Sequence, residues 1–507
     1  MNDYPLPTVH ATTVHMLADA TAKAPERVAL ICGDRQLTYA EYGHCVAGFA
    51  DELVKAGAVG NRVVLLSGNS IDMAIAMYAI QAAGGQAVPL NPLYTERELR
   101  QIFDDAAPTI VIYDSALHET IAPLLGGREV MHVVKLGGSD GRLLDEWRDE
   151  ENIVLPFPAP SDLACLLYTG GTTGLPKGVN IEHKQTTFNL SQFQALVPTR
   201  ADKESILCMM PMFHTFAMHC CLYNAVYARS TLVILPRYHP EAVLRAVEAQ
   251  RITILPAGPT VFIGLLAHEQ FSNTDFSELH YCISGSAALS EQVLEQWQEG
   301  TGCLVVEGYG QTESGPVLTF NPVRGIRKPG SVGFVVPDTE LQIVDVETGT
   351  KQLPAGEPGE IRARGPQMMS GYRNRPEENA ATLRDGWLYT GDIGEFDEDA
   401  YLYIRDRKKD MIIVSGYNVY PREVDEVLLT HPAVMEASAI GVPDAYRGEM
   451  VKAFVALQAD STSSEADLID YCRVNLAKYK VPTEISILEV LPKTAVGKLD
   501  KKRLRNI

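Results

Sequence analysis

The chain is short of positive charge, of paired cysteines and of long apolar runs, and each shortage removes a class of function. Its 44 Lys and Arg stand against 64 Asp and Glu, a formal charge of −20. Duplex phosphate would be repelled except at a local basic patch, which excludes a general nucleic-acid binder. Any anionic ligand must be held locally. The nine cysteines are odd in number and include no C-x-x-C pair, and the adjacent Cys220 and Cys221 cannot readily bridge each other. Neither a disulfide framework nor a zinc ribbon is expected. No apolar run reaches the ~18 residues of a membrane-spanning helix, and Met1-Asn2-Asp3-Tyr4-Pro5 lacks the basic and apolar regions of a signal peptide. The expectation is a soluble, cytoplasmic protein with reduced thiols.

What is present reads as globular: 46% hydrophobic and 21% charged residues over 507 positions, too many for one compact core, so two or more domains are expected. Thr38 and Glu41 have capping-box spacing, and Cys45, Val46, Phe49, Ala50, Leu53 and Val54 follow at helical period, which predicts a helix with one buried face. Val63 to Leu66 reads as a buried strand, residues 70–83 as a helix, and Ala87 to Leu90 as a second strand. This βαβ unit implies a largely parallel sheet. Thr231 to Leu235, a helix over Glu241–Ala249, and Ile252 to Leu255 continue the alternation. After residue 406 the pattern changes: the charged connector Arg405 to Asp410 leads into a helix (421–429), strands (433–442 and 451–457) and a helix (465–476). The fold class expected is α/β, a large multi-subdomain N-terminal domain (1–406) with mostly parallel sheets, a connector (407–410) and a small α+β domain (411–507).

One stretch organises the rest. The apolar run Leu163-Ala164-Cys165-Leu166-Leu167 delivers the chain into Tyr168-Thr169-Gly170-Gly171-Thr172-Thr173-Gly174-Leu175-Pro176-Lys177-Gly178. Glycines let backbone N–H groups approach an anion, threonine hydroxyls add donors, and Lys177 adds a point charge, so the stretch suits nucleotide phosphates. It is not the common P-loop, since Pro176 stands where that motif needs Gly before the lysine. Read alone, it is also compatible with an ordinary polar turn. Further on, Ser284-Gly285-Ser286 and Glu307-Gly308-Tyr309-Gly310-Gln311-Thr312-Glu313 each follow an apolar strand. Glycine there permits a flat base to lie on the backbone, Tyr309 offers a stacking face, and Glu313 is a hard oxygen ligand suited to Mg²⁺. Without context these are two tight turns and a surface carboxylate. Tyr389-Thr390-Gly391-Asp392 places a carboxylate in a turn, and His214 lies among the aromatics of Pro211-Met212-Phe213-His214-Thr215-Phe216.

Together these segments resemble the motifs of the acyl-adenylate-forming superfamily, which comprises acyl-CoA synthetases, nonribosomal adenylation domains and firefly-type luciferases. The resemblance runs from about Thr38 to Arg503. Gly170, where the usual pattern has Ser, and Gly308 are most like bacterial fatty acyl-CoA ligases. The resemblance implies ATP held by Thr169, Gly170, Gly171, Thr172, Thr173, Gly174 and Lys177, with Gly285, Ser286, Tyr309, Gly310, Gln311, Thr312, Asp392 and Arg407 around the adenosine and α-phosphate. It implies Mg²⁺ at Glu313 and an acyl pocket at Phe213, His214, Phe216, Gly308 and Gly315, the glycine at 308 leaving depth for an alkyl chain. Lys498, in Pro492-Lys493-Thr494-Ala495-Val496-Gly497-Lys498, matches the catalytic lysine of the first half-reaction, joined as catalytic residues by Thr312, Glu313 and His214. Lys409 matches the hinge about which the small domain turns, and Gly416 and Tyr417 match the loop lining the pantetheine tunnel. The activity implied is a CoA ligase for a medium- or long-chain fatty acid. An aryl acid, or a carrier-protein phosphopantetheine in place of coenzyme A, is the alternative, and a homodimer is the assembly considered. A nucleotide-binding regulatory protein without turnover is disfavoured by the intact Lys498, Glu313, Asp392, Arg407 and Lys177.

Overall fold

The computed structural model describes residues 4–150, 155–169, 176–415, 417–444, 446–458, 461–494 and 497–507. Strands separated by amphipathic or fully apolar helices pair in parallel, because each crossover helix buries its apolar surface on the sheet. In a seven-stranded sheet, Leu163–Thr169, Gln86–Pro89, Arg62–Leu66, Ile110–Asp114 and His132–Leu136 run parallel, and Lys177–Glu182 returns antiparallel beside Leu163–Thr169. In a nine-stranded sheet, Val305–Gly310, Tyr281–Ser284, Ile254–Ala257, Ser205–Cys208, Thr231–Ile234 and Val28–Cys32 are parallel, with antiparallel strands at both edges. The helix Ile71–Ala82 is buried at every position; it is apolar but for Asp72, paired with Arg35, and Gln81, which donates to the Tyr223 hydroxyl.

Local rules explain the helix Tyr39–Lys55. Thr38 and Glu41 close the capping box in both directions, and Cys45, Val46, Phe49, Ala50 and Leu53 are buried. Val54 departs from the expected face and is 40% exposed, so the apolar stripe ends at Leu53.

A third, antiparallel sheet carries Gly359–Arg364, Trp387–Phe396 and Leu402–Arg407 side by side. Two expectations change here. Asp392 lies within the strand Trp387–Phe396 and not in a turn; the register slips between its pairings with Glu360 and Arg362, and Gly391 takes a φ of +70° inside the slip. That is a bulge, where glycine tolerates a backbone other residues resist. Arg405 to Arg407 likewise belong to a strand, with Arg407 directly opposite Asp392, which shortens the connector to a single 3₁₀ turn, Lys408–Asp410. The strand over Leu304 to Val306 also runs further than expected, to Gly310.

Beyond the turn, Val434–Asp444, Gly448–Leu457, Ile412–Val414, Tyr417–Val419 and Glu484–Ile487 form a five-stranded sheet packed by Pro421–Leu429 and Glu465–Asn475. Val424, Leu428, Ala453, Leu468 and Ile485 build a core separate from that of the sheets before it.

Candidate active site

A cavity of about 820 Å³ opens where the carboxyl ends of Leu163–Thr169, Tyr281–Ser284 and Val305–Gly310 face the C-terminal segment bearing Lys498. Strand ends of an open α/β sheet are the expected place for a ligand. Of the residues singled out from sequence, Thr169, Lys177, Phe213, His214, Phe216, Gly285, Ser286, Gly308, Tyr309, Gly310, Gln311, Thr312, Glu313, Arg407, Lys409 and Lys498 all line it. Gly170, Gly171, Thr172, Thr173, Gly174 and Gly416 lie outside the described residues.

Three of the expected residues stand elsewhere. Asp392 is buried behind the wall, where its Oδ2 accepts from the Tyr309 hydroxyl at 2.7 Å and its Oδ1 meets Arg407 Nε at 2.9 Å. Burial raises its carboxyl pKa, and Arg407 and Tyr309 hold that rise back. Gly315 does not line the large cavity; it borders a small adjoining void beside His219 and Pro316, and its φ of +94° and close approach to the Gln367 carbonyl give it a backbone role. Tyr417 is away from the cavity, 59% exposed and stacked on Tyr479 at 4.8 Å.

The depth expected over Gly308 is also not open. A Cβ built there would lie 2.3 Å from the Phe320 ring, so the space a side chain would fill is already occupied. Phe320 was not evident from sequence, because its place depends on strand pairing with Gly308.

Electrostatics divide the cavity. Burial and the neighbouring Lys498 ammonium push His214 down to about 3, leaving the ring neutral; its Nδ1 accepts from Phe216 N–H at 3.3 Å, so the proton sits on Nε2. Lys498 is itself pushed below the ordinary lysine range by burial and by Arg407, with Asp392 opposing. Lys177 sits 4.4 Å over the Tyr372 ring, and the Tyr372 hydroxyl donates to Glu313 Oε1 at 2.8 Å. Tyr372 is a second residue the motifs did not reveal. Close behind the cavity, Glu307 accepts from Leu289 N–H at 3.2 Å, and burial lifts its carboxyl to about 7.

Lys498 reaches this cavity because the C-terminal domain is clasped to the rest of the molecule. Arg422 donates from its backbone N–H to Asp406 Oδ2 at 2.9 Å and from Nη1 to the Ile404 carbonyl at 2.7 Å. Arg505 pairs with Asp410 at 2.5 Å.

The model of the AMP-binding enzyme family matches residues 17–373, and that of the AMP-binding enzyme C-terminal domain matches residues 423–498. The chain belongs to the AMP-binding enzyme family. It is similar to the long-chain-fatty-acid–CoA ligase of Bacillus subtilis (strain 168), 36% identical over 538 aligned residues that cover 99% of this chain and 96% of the relative. It is similar as well to the feruloyl-CoA synthase of an Amycolatopsis species, 35% identical over 486 residues, 95% of this chain and 96% of that one. Among solved structures, ATP-bound MatB from Rhodopseudomonas palustris superposes with a TM-score of 0.90 at 31% identity, covering 98% of both chains. This AMP-binding enzyme is an AMP-forming acid–thiol ligase that uses ATP and coenzyme A. The residues present also fit Mg²⁺, which is typical of the family. Among the described residues no group of three His, Cys, Asp or Glu forms a ready cage; two carboxylates line the cavity, Glu313 and Glu360, the latter paired with Lys408 at 2.8 Å. Mg²⁺ is commonly bound in that way, through one or two carboxylates completed by substrate phosphates. Among the described residues no helix is long and apolar enough to cross a membrane.

Proposed function

We propose that this ligase activates a medium- or long-chain fatty acid, and that Lys498 is the residue that neutralises the reacting oxygens in the adenylation step. The observation that carries the reading is the joint lining of one cavity by Lys498 from the C-terminal domain and by His214, Thr312, Glu313 and Arg407 from the preceding body.

A fatty carboxylate has a pKa near ~4.3 and is ionised at neutral pH, so the reaction needs no general base. The difficulty is that one anion must attack another. Lys498 and Arg407 place cations around the α-phosphate, Lys177 and the hydroxyls of Thr172 and Thr173 hold the departing pyrophosphate, and Thr312 donates to a phosphate oxygen. Mg²⁺ bound at Glu313 would supply further neutralisation of the phosphates. Asp392 holds Tyr309 and Arg407 in place from behind the wall, and neutral His214 with its Nε2–H orients the acid between Phe213 and Phe216. The products are acyl-AMP and pyrophosphate.

In the second step the thiol of coenzyme A attacks the acyl carbon and AMP leaves. A thiol of pKa ~8.5 is only slightly ionised at neutrality, so positioning must offset the deficit. Lys498 has to withdraw to admit it. The 3₁₀ turn Lys408–Asp410 is the pivot in this proposal, with Lys409 at its centre and Gly416 and Tyr417 turning in to line the thiol's path.

The test is MgATP-dependent pyrophosphate release across alkyl, aryl and dicarboxylic acids, with and without CoA. Turnover that needs CoA and favours alkyl acids is the expected result. Preference for a benzoate or cinnamate refutes the fatty-acid reading, and release that stalls after about one turnover despite CoA transfers the acceptor role to a carrier-protein phosphopantetheine. Light scattering of the same preparation reads whether the enzyme is a homodimer.

A further inference from the structure

We propose that Phe320 sets the length of the acid and restricts the site to a medium-length acyl chain, an inference that rests on the reading of the substrate as a hydrophobic monocarboxylate. Gly308 and Phe320 stand directly opposite each other in the antiparallel pair Val305–Gly310 and Val317–Phe320. Opposite residues present their side chains on the same face. The Phe320 ring therefore covers the bare glycine, and a Cβ at 308 would meet its Cε2, Cδ2 and Cζ at 2.3 to 2.5 Å. Both residues line the cavity, so the ring takes the room that a wall glycine would otherwise leave to an alkyl chain.

The ring is backed by core. Phe193 meets Phe320 edge-on with centroids 5.2 Å apart, and His219 meets Phe193 in the same way at 5.6 Å. All three are buried. A close-packed interior does not yield space without displacing its neighbours. A chain passing along Gly308 stops at Phe320.

The experiment compares kcat/KM for octanoate and palmitate, by MgATP- and CoA-dependent pyrophosphate release, in the unaltered enzyme, Phe320→Leu, Phe320→Ala, Gly308→Ala and the double variant Gly308→Ala with Phe320→Ala. The unaltered enzyme is expected to favour octanoate. Phe320→Leu and then Phe320→Ala should raise the palmitate-to-octanoate ratio in that order, by about tenfold or more for alanine, since one methylene accommodated in an apolar pocket is worth about 10–200-fold. Gly308→Ala should impair both acids, and the double variant should recover them, because removing the ring relieves the clash. A preference for palmitate in the unaltered enzyme overturns the proposal. So does a ratio that stays constant in whichever Phe320 variant folds and turns over octanoate. Failure of the unaltered enzyme to release pyrophosphate with any alkyl or aryl acid removes the substrate reading itself, a result distinct from either.

Discussion

Replacing Lys498 by alanine separates the two half-reactions. A unit charge about 4 Å from a developing charge is worth roughly 4 kcal/mol at an effective dielectric of ~20, and loss of one focused donor typically costs about 2.7–4 kcal/mol, or 10²–10³ in rate. The cavity places the effect within that range. Burial, together with repulsion from the neighbouring Arg407, already depresses the Lys498 pKa; Arg407 and Lys177 still line the cavity in the variant. The loss should therefore sit nearer ~10² and fall on kcat for acyl-AMP formation more than on the KM for ATP. Single-turnover formation of acyl-AMP measures the first step, and conversion of supplied acyl-AMP to acyl-CoA measures the second. Thiolation should be largely spared, and an equal loss in both steps refutes the assignment. The depressed pKa adds a signature. The cation is the active form, so kcat/KM for adenylation should decline on the alkaline side before the ~10.4 of an ordinary lysine, and Lys498→Arg should move that limb upward.

Lys409→Pro should stiffen the turn between strand Leu402–Arg407 and the small domain, so that acyl-AMP forms and accumulates without passing to CoA; a normal overall rate would exclude the pivot. Glu307→Gln tests the buried carboxyl. Folding lifts it from its ordinary 4.5 to about 7, so the folded state keeps the proton longer than the unfolded chain. Its contribution is intact below about pH 4.5 and is lost as pH rises to about 7. The glutamine retains the acceptor for Leu289 N–H and should stabilise the protein by up to roughly 3 kcal/mol at pH 8, at 1.36 kcal/mol per pH unit, with no gain near pH 4.5. Thermal melts at the two pH values decide it, and the same difference at both rules it out. A change in chain-length preference on shortening Phe320 is the fourth expectation.

Much of the fold was legible because its signals are local. The capping box at Thr38 and Glu41, the apolar helix Ile71–Ala82 and the strand–helix pattern after residue 406 each depend on neighbours in sequence. Most departures depend on strand pairing, which no single stretch of sequence displays. Thr390-Gly391-Asp392 has the composition of a turn, yet a bulge uses the same residues, and only pairing with Glu360 and Arg362 distinguishes them. Arg405 and Arg407 look like a solvated charge run until Glu395 and Asp392 are found opposing them across the sheet. Gly308 reads as open space until Phe320 is paired with it. The cavity-lining residues found by motif were those whose spacing itself carries chemistry; Tyr372 and Phe320 have no such spacing.

Arg407, opposite Asp392 on the neighbouring strand, ends its own strand, and the very next residue begins the turn leading to the small domain. Arg407 and the joint therefore share one piece of backbone, and in the proposed rotation the small domain is a lever whose short arm is Arg407 and whose long arm ends at Lys498. On that proposal, a slight tilt of the guanidinium on exchanging ATP for AMP is magnified at the far end. By reciprocity, whichever domain orientation grips a given nucleotide more tightly is the orientation that nucleotide selects, so the proposed rotation makes the contents of the site the clock that times Lys498's arrival and departure.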